Sequence, residues 1–226
     1  MKIVITAATE KEIILIKQAI SPEYTKSNSK VLVSFHVSGI GILSSCFSIS
    51  KLIFDQHPDL IIQTGIAGTF NNHFSLGKVV VVKEEIAADT GVEENGRFKD
   101  LFDLNLQNEN AFPFFNKKLV NTNLEKLNYL NLDEVRAITI NEITTRLERI
   151  VQYKDKYNPA VESMEGASLH YCCLQTSTSF IQIRAISNYI GERDKSKWEI
   201  KNSLQNLKSN ILLYIDQLYK MNEYKN

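Results

Sequence analysis

Short runs of β-branched and apolar residues recur along the chain, and the stretches between them are long enough to hold a helix. Runs of this kind are typical of strands that are buried on both faces of a sheet. They predict six strands, at residues 2–6, 31–37, 60–63, 79–83, 135–140 and 180–186.

Three segments have the periodicity of a helix. Residues 10–20 place Ile13, Ile16 and Ile20 along one side, and residues 42–54 combine apolar with small side chains. Near the C-terminus, apolar residues follow one another at spacings of three and four, which predicts one stripe of a long amphipathic helix. That stripe consists of Leu204, Leu207, Ile211, Ile215 and Leu218.

Alternating strands and helices predict a layered α/β fold with a largely parallel sheet. The sequence has no internal repeat and no low-complexity linker, so a single domain over residues 1–226 is expected. The least regular segment is residues 84–116, which contains Phe98, Phe102, Phe112, Phe114 and Phe115. Such a segment is either a lid or subunit contact, or a plain surface excursion.

Charge and cysteine content narrow the class of protein. Lys and Arg total 26, as do Asp and Glu, so the formal net charge is zero. This balance argues against a general binder of nucleic acid or of anionic membranes. The three cysteines, Cys46, Cys172 and Cys173, are expected to be reduced and buried. With neither a signal peptide nor a long apolar segment in view, we expect a cytoplasmic protein.

In a parallel α/β sheet, ligands bind beyond the carboxyl ends of the strands. After the first strand, Glu10 and Glu12 open a helix, either to complement its dipole or to supply a general base. Ser38-Gly39-Ile40-Gly41 follows the second strand, and residues 64–69 follow the third with small side chains. Each of these two loops either admits a ligand or makes a tight turn.

Later in the chain, residues 161–167 place Glu162, Met164 and Glu165 at a junction of strand and helix, and Asn188 follows the last strand. A methionine in such a place is more often core filler than a ligand contact. Motifs of serine hydrolases, zinc proteases and phosphate-binding loops are absent from the sequence. Carboxylates without these motifs favour cleavage of a glycosidic bond through a cationic sugar.

The chain resembles the nucleoside phosphorylase/hydrolase family, particularly its methylthioadenosine/S-adenosylhomocysteine nucleosidase branch. The matching segments run in family order: Met1-Lys2-Ile3 through Glu12, Ser38-Gly39-Ile40-Gly41, Thr64-Gly65-Ile66-Ala67-Gly68, Met164-Glu165-Gly166-Ala167 and Arg184-Ala185-Ile186-Ser187-Asn188. Glu162-Ser163-Met164-Glu165-Gly166, Ser187-Asn188 and residues 193–198 resemble its futalosine hydrolase branch, which acts in an alternative route to menaquinone. The resemblance implies a three-layer αβα sandwich around a mixed, largely parallel, twisted sheet.

The resemblance also implies roles for residues. Glu12 would orient and deprotonate the attacking water, and Glu165 would bind the ribose hydroxyls and favour positive charge on the ring. The other expected substrate contacts are Gly65, Ile66, Ala67, Gly68, Asn141, Ile143, Met164 and Ser187. The expected ligand is a small purine nucleoside, with no metal and no organic cofactor. A homo-oligomer, dimer or larger, is implied, in which a neighbour helps to close the pocket.

Departures from the family pattern indicate which purine base is released and whether water or phosphate is the nucleophile. Asn188 stands where the adenine-cleaving branch has Asp; its amide can accept from a protonated N7 and donate to a 6-oxo group, which suits hypoxanthine. The alternative is that Asn188 merely caps the following loop. Gln63 stands where related phosphorylases place an Arg, which favours water over phosphate. Ser163 replaces a Glu of the adenosine-specific branch, and the role of Glu162 is open.

Together with these departures, the resemblance implies hydrolysis of futalosine to hypoxanthine and dehypoxanthine futalosine. Two alternatives stay open: an adenine-releasing nucleosidase, and a nucleoside-binding sensor without turnover. One cation among Arg193, Lys195 and Lys197 is expected to approach the carboxylate of the 5′ substituent, the alternative being a solvated run of charge.

Overall fold

The computed structural model describes residues 1–26 and 29–223. The strands within them are β1 (Lys2–Ala7), β2 (Leu32–Val37), β3 (Leu60–Thr69), β4 (Val79–Ala87), β5 (Gly91–Glu94), β6 (Arg97–Asp100), β7 (Phe114–Phe115), β8 (Lys118–Val120), β9 (Asp133–Thr139), β10 (Val161–Ser163) and β11 (Phe180–Tyr189). The α-helices are α1 (Glu10–Ala19), α2 (Gly41–Gln56), α3 (Leu124–Leu127), α4 (Leu147–Tyr157), α5 (Gly166–Thr176) and α6 (Ile200–Glu223). Two 3-10 helices lie at Pro22–Thr25 and Lys195–Lys197.

The main sheet is mixed and largely parallel, as predicted. Strands β2, β1, β3 and β11 lie side by side and parallel, and β4 runs parallel to β9. The short strand β10 is parallel to β9 and antiparallel to the far end of β3, while β11 is antiparallel to β4. Strands β3, β11, β4, β9 and β10 therefore pair in a closed circuit, and β3 and β11 continue beyond their predicted ends into that circuit.

Helices cover the sheet on both faces, so the predicted layered α/β fold is confirmed. Because successive side chains of a strand point to opposite faces, Ile3 and Ile5 pack with α1 and α6, whereas Val4 packs with α2 and α5. The predicted stripe of α6 lies against the sheet: Leu207 and Ile211 are fully buried. Among the described residues, no helix is long and apolar enough to span a bilayer.

Residues 84–116 form the end of β4, where Glu85 and Ala88 are buried, followed by the β5–β6 hairpin and β7, with β5 exposed along its length. Phe98 packs edge-on against Tyr153 of α4, while Phe112 and Phe115 are exposed. The three cysteines are free, as predicted; Cys172 and Cys173 are buried, but Cys46 is only half-buried.

Candidate active site

A cavity of about 370 Å³ opens where the ends of β1, β3, β10 and β11 meet. Nine of the eleven residues predicted to bind or transform the substrate line it. They are Glu12, Ile66, Ala67, Gly68, Ile143, Met164, Glu165, Ser187 and Asn188. The other two, Gly65 and Asn141, lie beside the wall: Gly65 sits under Glu12, and the Asn141 side chain links the backbone N–H of Ile42 to Asp89.

Glu12 combines the two interpretations that its sequence position left open. One carboxylate oxygen, Oε2, accepts hydrogen bonds from the backbone N–H and the hydroxyl of Thr9, both at 3.1 Å, which caps α1. The other oxygen, Oε1, accepts from the backbone N–H of Ile66 on β3 at 3.2 Å. The helix start and the strand therefore hold this carboxylate rigidly on the cavity wall.

Gly65 has to be a glycine for Glu12 to lie where it does. A Cβ at this position would be 2.9 Å from Glu12 Oε1 and 2.4 Å from Arg184 Nη1. Both distances are shorter than real side chains tolerate, so any larger residue would displace one of these groups.

Glu165 immediately precedes α5, and its buried side chain contacts the start of another helix, α2. Its Oε1 accepts from the backbone N–H of Gly41, the first residue of α2, at 3.1 Å. Gly41 has a φ of +83°, which favours glycine. Burial raises the pKa of Glu165, while the nearby Arg184 and the Gly41 N–H oppose that rise. The site thus holds a carboxylate whose charge a cationic sugar would stabilise.

Arg184 is fully buried behind this wall, a position that sequence reasoning missed because arginine is mostly exposed. Its Nη2 donates to Gln63 Oε1 at 2.9 Å and lies 3.9 Å from Glu165 Oε2. Gln63 in turn donates to the Glu165 backbone carbonyl at 3.4 Å. Arg184 therefore compensates the buried carboxylate from behind, and Gln63 is held in the same network.

Asn188 lies on the cavity wall at the end of β11. Its Oδ1 accepts from the Ser187 hydroxyl at 2.8 Å, and its Nδ2 donates to the Tyr189 carbonyl at 3.1 Å. An amide offers two acceptor positions and two donors, so one of each is left. The capping alternative and a role toward a ligand are thus compatible at this residue.

Glu162 also lines the cavity, with 6% of its surface exposed. Its two oxygens accept from Thr144, one from the backbone N–H at 3.3 Å and one from the hydroxyl at 2.5 Å. Burial raises the pKa of Glu162 to about 7; Asp89 adds to the rise, and the Thr144 bonds oppose it. A second buried carboxyl therefore faces the ligand space.

Of the three cations predicted near the 5′ group, Arg193 lines the cavity. Its guanidinium lies 5.6 Å from the ring centre of Trp198, another wall residue. Lys197 instead pairs with Glu192 at 2.7 Å, and Lys195 is exposed beside it, as a solvated run predicts. Lys11, next to Glu12, is a wall cation that sequence reasoning missed.

Two further expectations concern what lies near the cavity. The aromatic residues between 98 and 115 were predicted to belong either to a lid or subunit contact or to a surface excursion, and none of them is on the cavity wall in the described chain. Phe98 packs on α4, and Phe112 and Phe115 are exposed at the surface. With respect to the cavity of the same chain, this arrangement fits a surface excursion and not a lid. The described residues contain no group of three or more His, Cys, Asp or Glu placed to hold a metal ion.

Comparison with known proteins places this geometry in context. The sequence matches the phosphorylase superfamily over residues 2–219. It is 27% identical to the futalosine hydrolase of Thermus thermophilus over 172 residues, 75% of each chain. It is also 27% identical to the 5′-methylthioadenosine/S-adenosylhomocysteine nucleosidase of Bacillus velezensis over 210 residues, 85% of this chain and 87% of that one.

Solved structures share the fold. The futalosine hydrolase mutant of Helicobacter pylori superposes with a TM-score of 0.79 at 17% identity, covering 96% of this chain and 99% of that one. The Colwellia psychrerythraea nucleosidase, solved with adenine, superposes with a TM-score of 0.75 at 21% identity, covering 96% of both chains.

Proposed function

Because the chain belongs to the phosphorylase superfamily, we propose that it hydrolyses the N-glycosidic bond of futalosine, releasing hypoxanthine and dehypoxanthine futalosine, a step of menaquinone biosynthesis. Relatives named as a hydrolase and as nucleosidases support hydrolysis of a nucleoside. The observation that carries the choice of base is Asn188, an amide with a free donor and a free acceptor on the cavity wall.

In the proposed mechanism, Glu12 deprotonates the water that attacks the anomeric carbon. Its bonds to Thr9 and Ile66 fix the carboxylate in place on the cavity wall. Glu165 binds the ribose hydroxyls, and its negative charge stabilises the cationic sugar of the transition state. Met164, which lines the cavity beside Glu165, packs against the sugar.

Asn188 receives the leaving base. Its Oδ1 accepts from protonated N7, and its Nδ2 donates to the 6-oxo oxygen of hypoxanthine. Adenine presents an amino group in place of that oxygen, so a donor would meet a donor, at a cost of about 1–3 kcal/mol. This mismatch supports hypoxanthine over adenine.

Water is the proposed nucleophile. Gln63, at the position where related phosphorylases have an arginine, is bound to Arg184 and to the Glu165 backbone. Arg184 is itself committed to Gln63 and lies against Glu165, whose charge would repel phosphate. These contacts support hydrolysis rather than phosphorolysis.

The 5′ substituent of futalosine ends in a benzoate. Arg193 and Lys11 both line the cavity and neither forms an ion pair within the described chain. Trp198 lies on the same wall and offers an apolar face to the ring. We place the carboxylate near Arg193.

A second copy of the chain is the proposed partner. Helix α2 carries Leu43, Phe47 and Phe54 at the surface, each more than 60% exposed. Ile40, just before α2, is exposed and also lines the cavity, so a neighbour on this face would reach its edge. Size-exclusion chromatography with light scattering should give a dimer or larger species, and Phe47→Glu should shift it toward the monomer. A wild-type monomer at all concentrations would contradict this proposal.

A second candidate function, release of adenine, is favoured by relatives of equal identity that are named nucleosidases. A base-release assay separates the two. Purified protein is incubated with futalosine, inosine or methylthioadenosine, with and without phosphate, and bases and sugars are separated by chromatography. We expect hypoxanthine from futalosine and no effect of phosphate. Preferred release of adenine would establish the second candidate, and a sugar 1-phosphate would overturn hydrolysis.

A further inference from the structure

Glu165, which the proposed mechanism turns toward the ribose, is also the N-cap residue of α5. An N-cap side chain normally folds back and accepts from the backbone N–H of the second or third residue of its own helix. In the described chain, the Glu165 carboxylate makes no such bond and accepts instead from the Gly41 N–H at 3.1 Å. Because the start of α5 is buried, its first N–H groups need another acceptor.

Thr139, the last residue of β9, supplies that acceptor. Its Oγ1 accepts from the backbone N–H of Ala167, the second residue of α5, at 2.8 Å. The same hydroxyl donates to Oε2 of Glu85 at 2.9 Å. A hydroxyl has a single proton, so the bond to Glu85 directs that proton away from Ala167 and leaves a lone pair facing its N–H. Thr139 thus caps α5 in place of Glu165, and Glu85 sets the direction of its hydroxyl.

The first turn of α5 has room for Glu85 only because its first residue is a glycine. A Cβ at Gly166 would lie 1.8 Å from Glu85 Oε1 and 2.5 Å from Gln182 Nε2, so any larger residue would displace one of these groups. Gln182 on β11 donates to the same Glu85 oxygen at 2.9 Å. Each oxygen of this fully buried carboxyl therefore has a side-chain donor, and the group is fixed beneath the helix start.

Building on the proposed function, in which Glu165 binds the ribose, we infer that Thr139 is a positioning residue for Glu165. By accepting from the Ala167 N–H, it leaves the Glu165 carboxylate free to bond Gly41 and to face the cavity. Without the hydroxyl, the Ala167 N–H is a buried donor with no acceptor, which is costly. An N-cap carboxylate is within reach of that donor, so Glu165 turns back toward its own helix and away from the ribose.

The first test is structural and does not depend on activity. Thr139→Val replaces the hydroxyl by a methyl group of similar size. In a crystal structure of this variant, the Glu165 carboxylate should accept from the Ala167 N–H and no longer from Gly41. Thr139→Ser, which restores the hydroxyl, should keep the wild-type contacts of Glu165. A Thr139→Val structure in which Glu165 still bonds Gly41 overturns the inference.

The second test measures kcat per folded enzyme on the nucleoside that the wild type cleaves, together with the Kd of the free base. Thr139→Val should lower kcat about 10- to 100-fold, the effect of one buried hydrogen bond that holds Glu165 away from the ribose. The Kd of the base should not change, because the base contacts Asn188 and not Glu165.

Two milder substitutions keep this test decisive even if Thr139→Val does not fold. Thr139→Ser should retain wild-type kcat. Thr139→Cys, whose thiol is a weaker acceptor, should have a kcat between those of Thr139→Ser and Thr139→Val. Equal kcat values in Thr139→Ser and Thr139→Cys would overturn the inference.

Thr176→Val is the matched control for the stability of α5. Thr176 is the last residue of this helix, and its hydroxyl donates to the Cys172 carbonyl at 2.8 Å. Its loss should leave kcat of the folded enzyme unchanged, whatever its effect on Tm. If Thr139 only stabilises α5, Thr139→Val also lowers Tm without lowering kcat of the folded enzyme, which overturns the inference.

Failure of the proposed function is detected separately. If the wild type cleaves methylthioadenosine and not futalosine, the assignment of the base fails, and the Thr139 variants are compared on methylthioadenosine. If no nucleoside is cleaved, the crystal structure of Thr139→Val decides. If futalosine is cleaved with the same kcat by the wild type and Thr139→Val, this inference alone fails.

Discussion

In the proposed function Glu12 and Glu165 act at the ribose, and we call them the ribose-side pair. Asn188 and Glu162 are both paired with Gly68, two residues beyond the Ile66 that donates to Glu12, and we call them the base-side pair. Backbone N–H groups of Thr9, Ile66 and Gly41 hold the ribose-side pair beside helix starts. The base-side pair depends more on side chains: two of its four bonds are to the hydroxyl groups of Ser187 and Thr144, and two are to backbone groups.

This difference in contacts separates two tasks of the site, stabilising the cationic sugar and choosing the base. Backbone donors at a helix start are fixed by the fold and favour negative charge, which the chemistry of a cationic sugar requires. Side-chain contacts change with single substitutions, so the base-side pair can vary without disturbing the reacting centre. Changes at the ribose-side pair should therefore alter the rate, and changes at the base-side pair should alter the choice of base.

The largest effect is expected for Glu12→Gln. The amide still accepts bonds at the start of α1 but cannot take a proton from water, so kcat should fall about 10²–10⁴-fold while substrate binding is retained. Glu10→Gln is the matched control: Glu10 lies in the same helical turn but is exposed and pairs with Lys17, and its variant should keep full activity. Single-turnover kinetics and equilibrium binding check both variants. A Glu12→Gln enzyme with near-wild-type kcat would refute the general base.

The next largest effect is expected at Glu165, in the pH dependence of kcat. Because burial raises its pKa, the charged form is lost at higher pH than for an exposed glutamate as the solution is acidified. The acid limb of kcat should therefore lie above the ordinary glutamate range, and Glu165→Gln should lower kcat by about 10²–10³-fold and remove that limb. A pH–rate profile measures this. An unchanged acid limb in the variant would assign it to another group.

A smaller effect, on selectivity, is expected for Asn188→Asp. The carboxylate loses the donor that meets O6, and in its protonated form it can supply the N7 proton that adenine needs. The ratio of kcat/KM for futalosine to that for methylthioadenosine should fall about 10- to 100-fold, as for one mismatched buried hydrogen bond. If the ratio does not move toward adenine, Asn188 does not read the base.

The smallest effect is expected at the cavity mouth. Arg193→Gln should raise KM for futalosine about 2- to 5-fold, because an exposed charge contact contributes little. The KM for inosine, which lacks the benzoate, should not change. The KM for futalosine should not change in Lys195→Gln either, because Lys195 is exposed at the start of the following 3-10 helix. Equal KM values for futalosine in wild type and Arg193→Gln would remove Arg193 from the 5′ site.

The sequence predicted the parts of the fold and site that local signals control. β-Branched runs revealed the starts of β3 and β11, but not their ends, because β3 changes to glycine and alanine where it borders the cavity. Glu12 and Asn188 could be placed near the site because each lies close to the carboxyl end of a strand, Glu12 in the first turn of α1 after β1 and Asn188 in the last residues of β11.

The features of the fold and site that the sequence did not predict depend on tertiary contacts. Burial of Arg184 follows from its partners Gln63 and Glu165, which lie far from it in sequence. The register that pairs Gly68 with Glu162 comes from β10, a three-residue strand too short to give a pattern of its own. Lys11 lines the cavity from the first turn of α1, a placement that the periodicity of the helix does not encode.

The most direct test of the separation between the two pairs is one ratio measured in three proteins. We would determine kcat/KM for futalosine relative to methylthioadenosine in the wild type, in Glu12→Gln and in Asn188→Asp. The account predicts a ratio that favours futalosine and is the same in the wild type and in the much slower Glu12→Gln, but that shifts toward methylthioadenosine in Asn188→Asp. A ratio that changes in Glu12→Gln and stays constant in Asn188→Asp would contradict it.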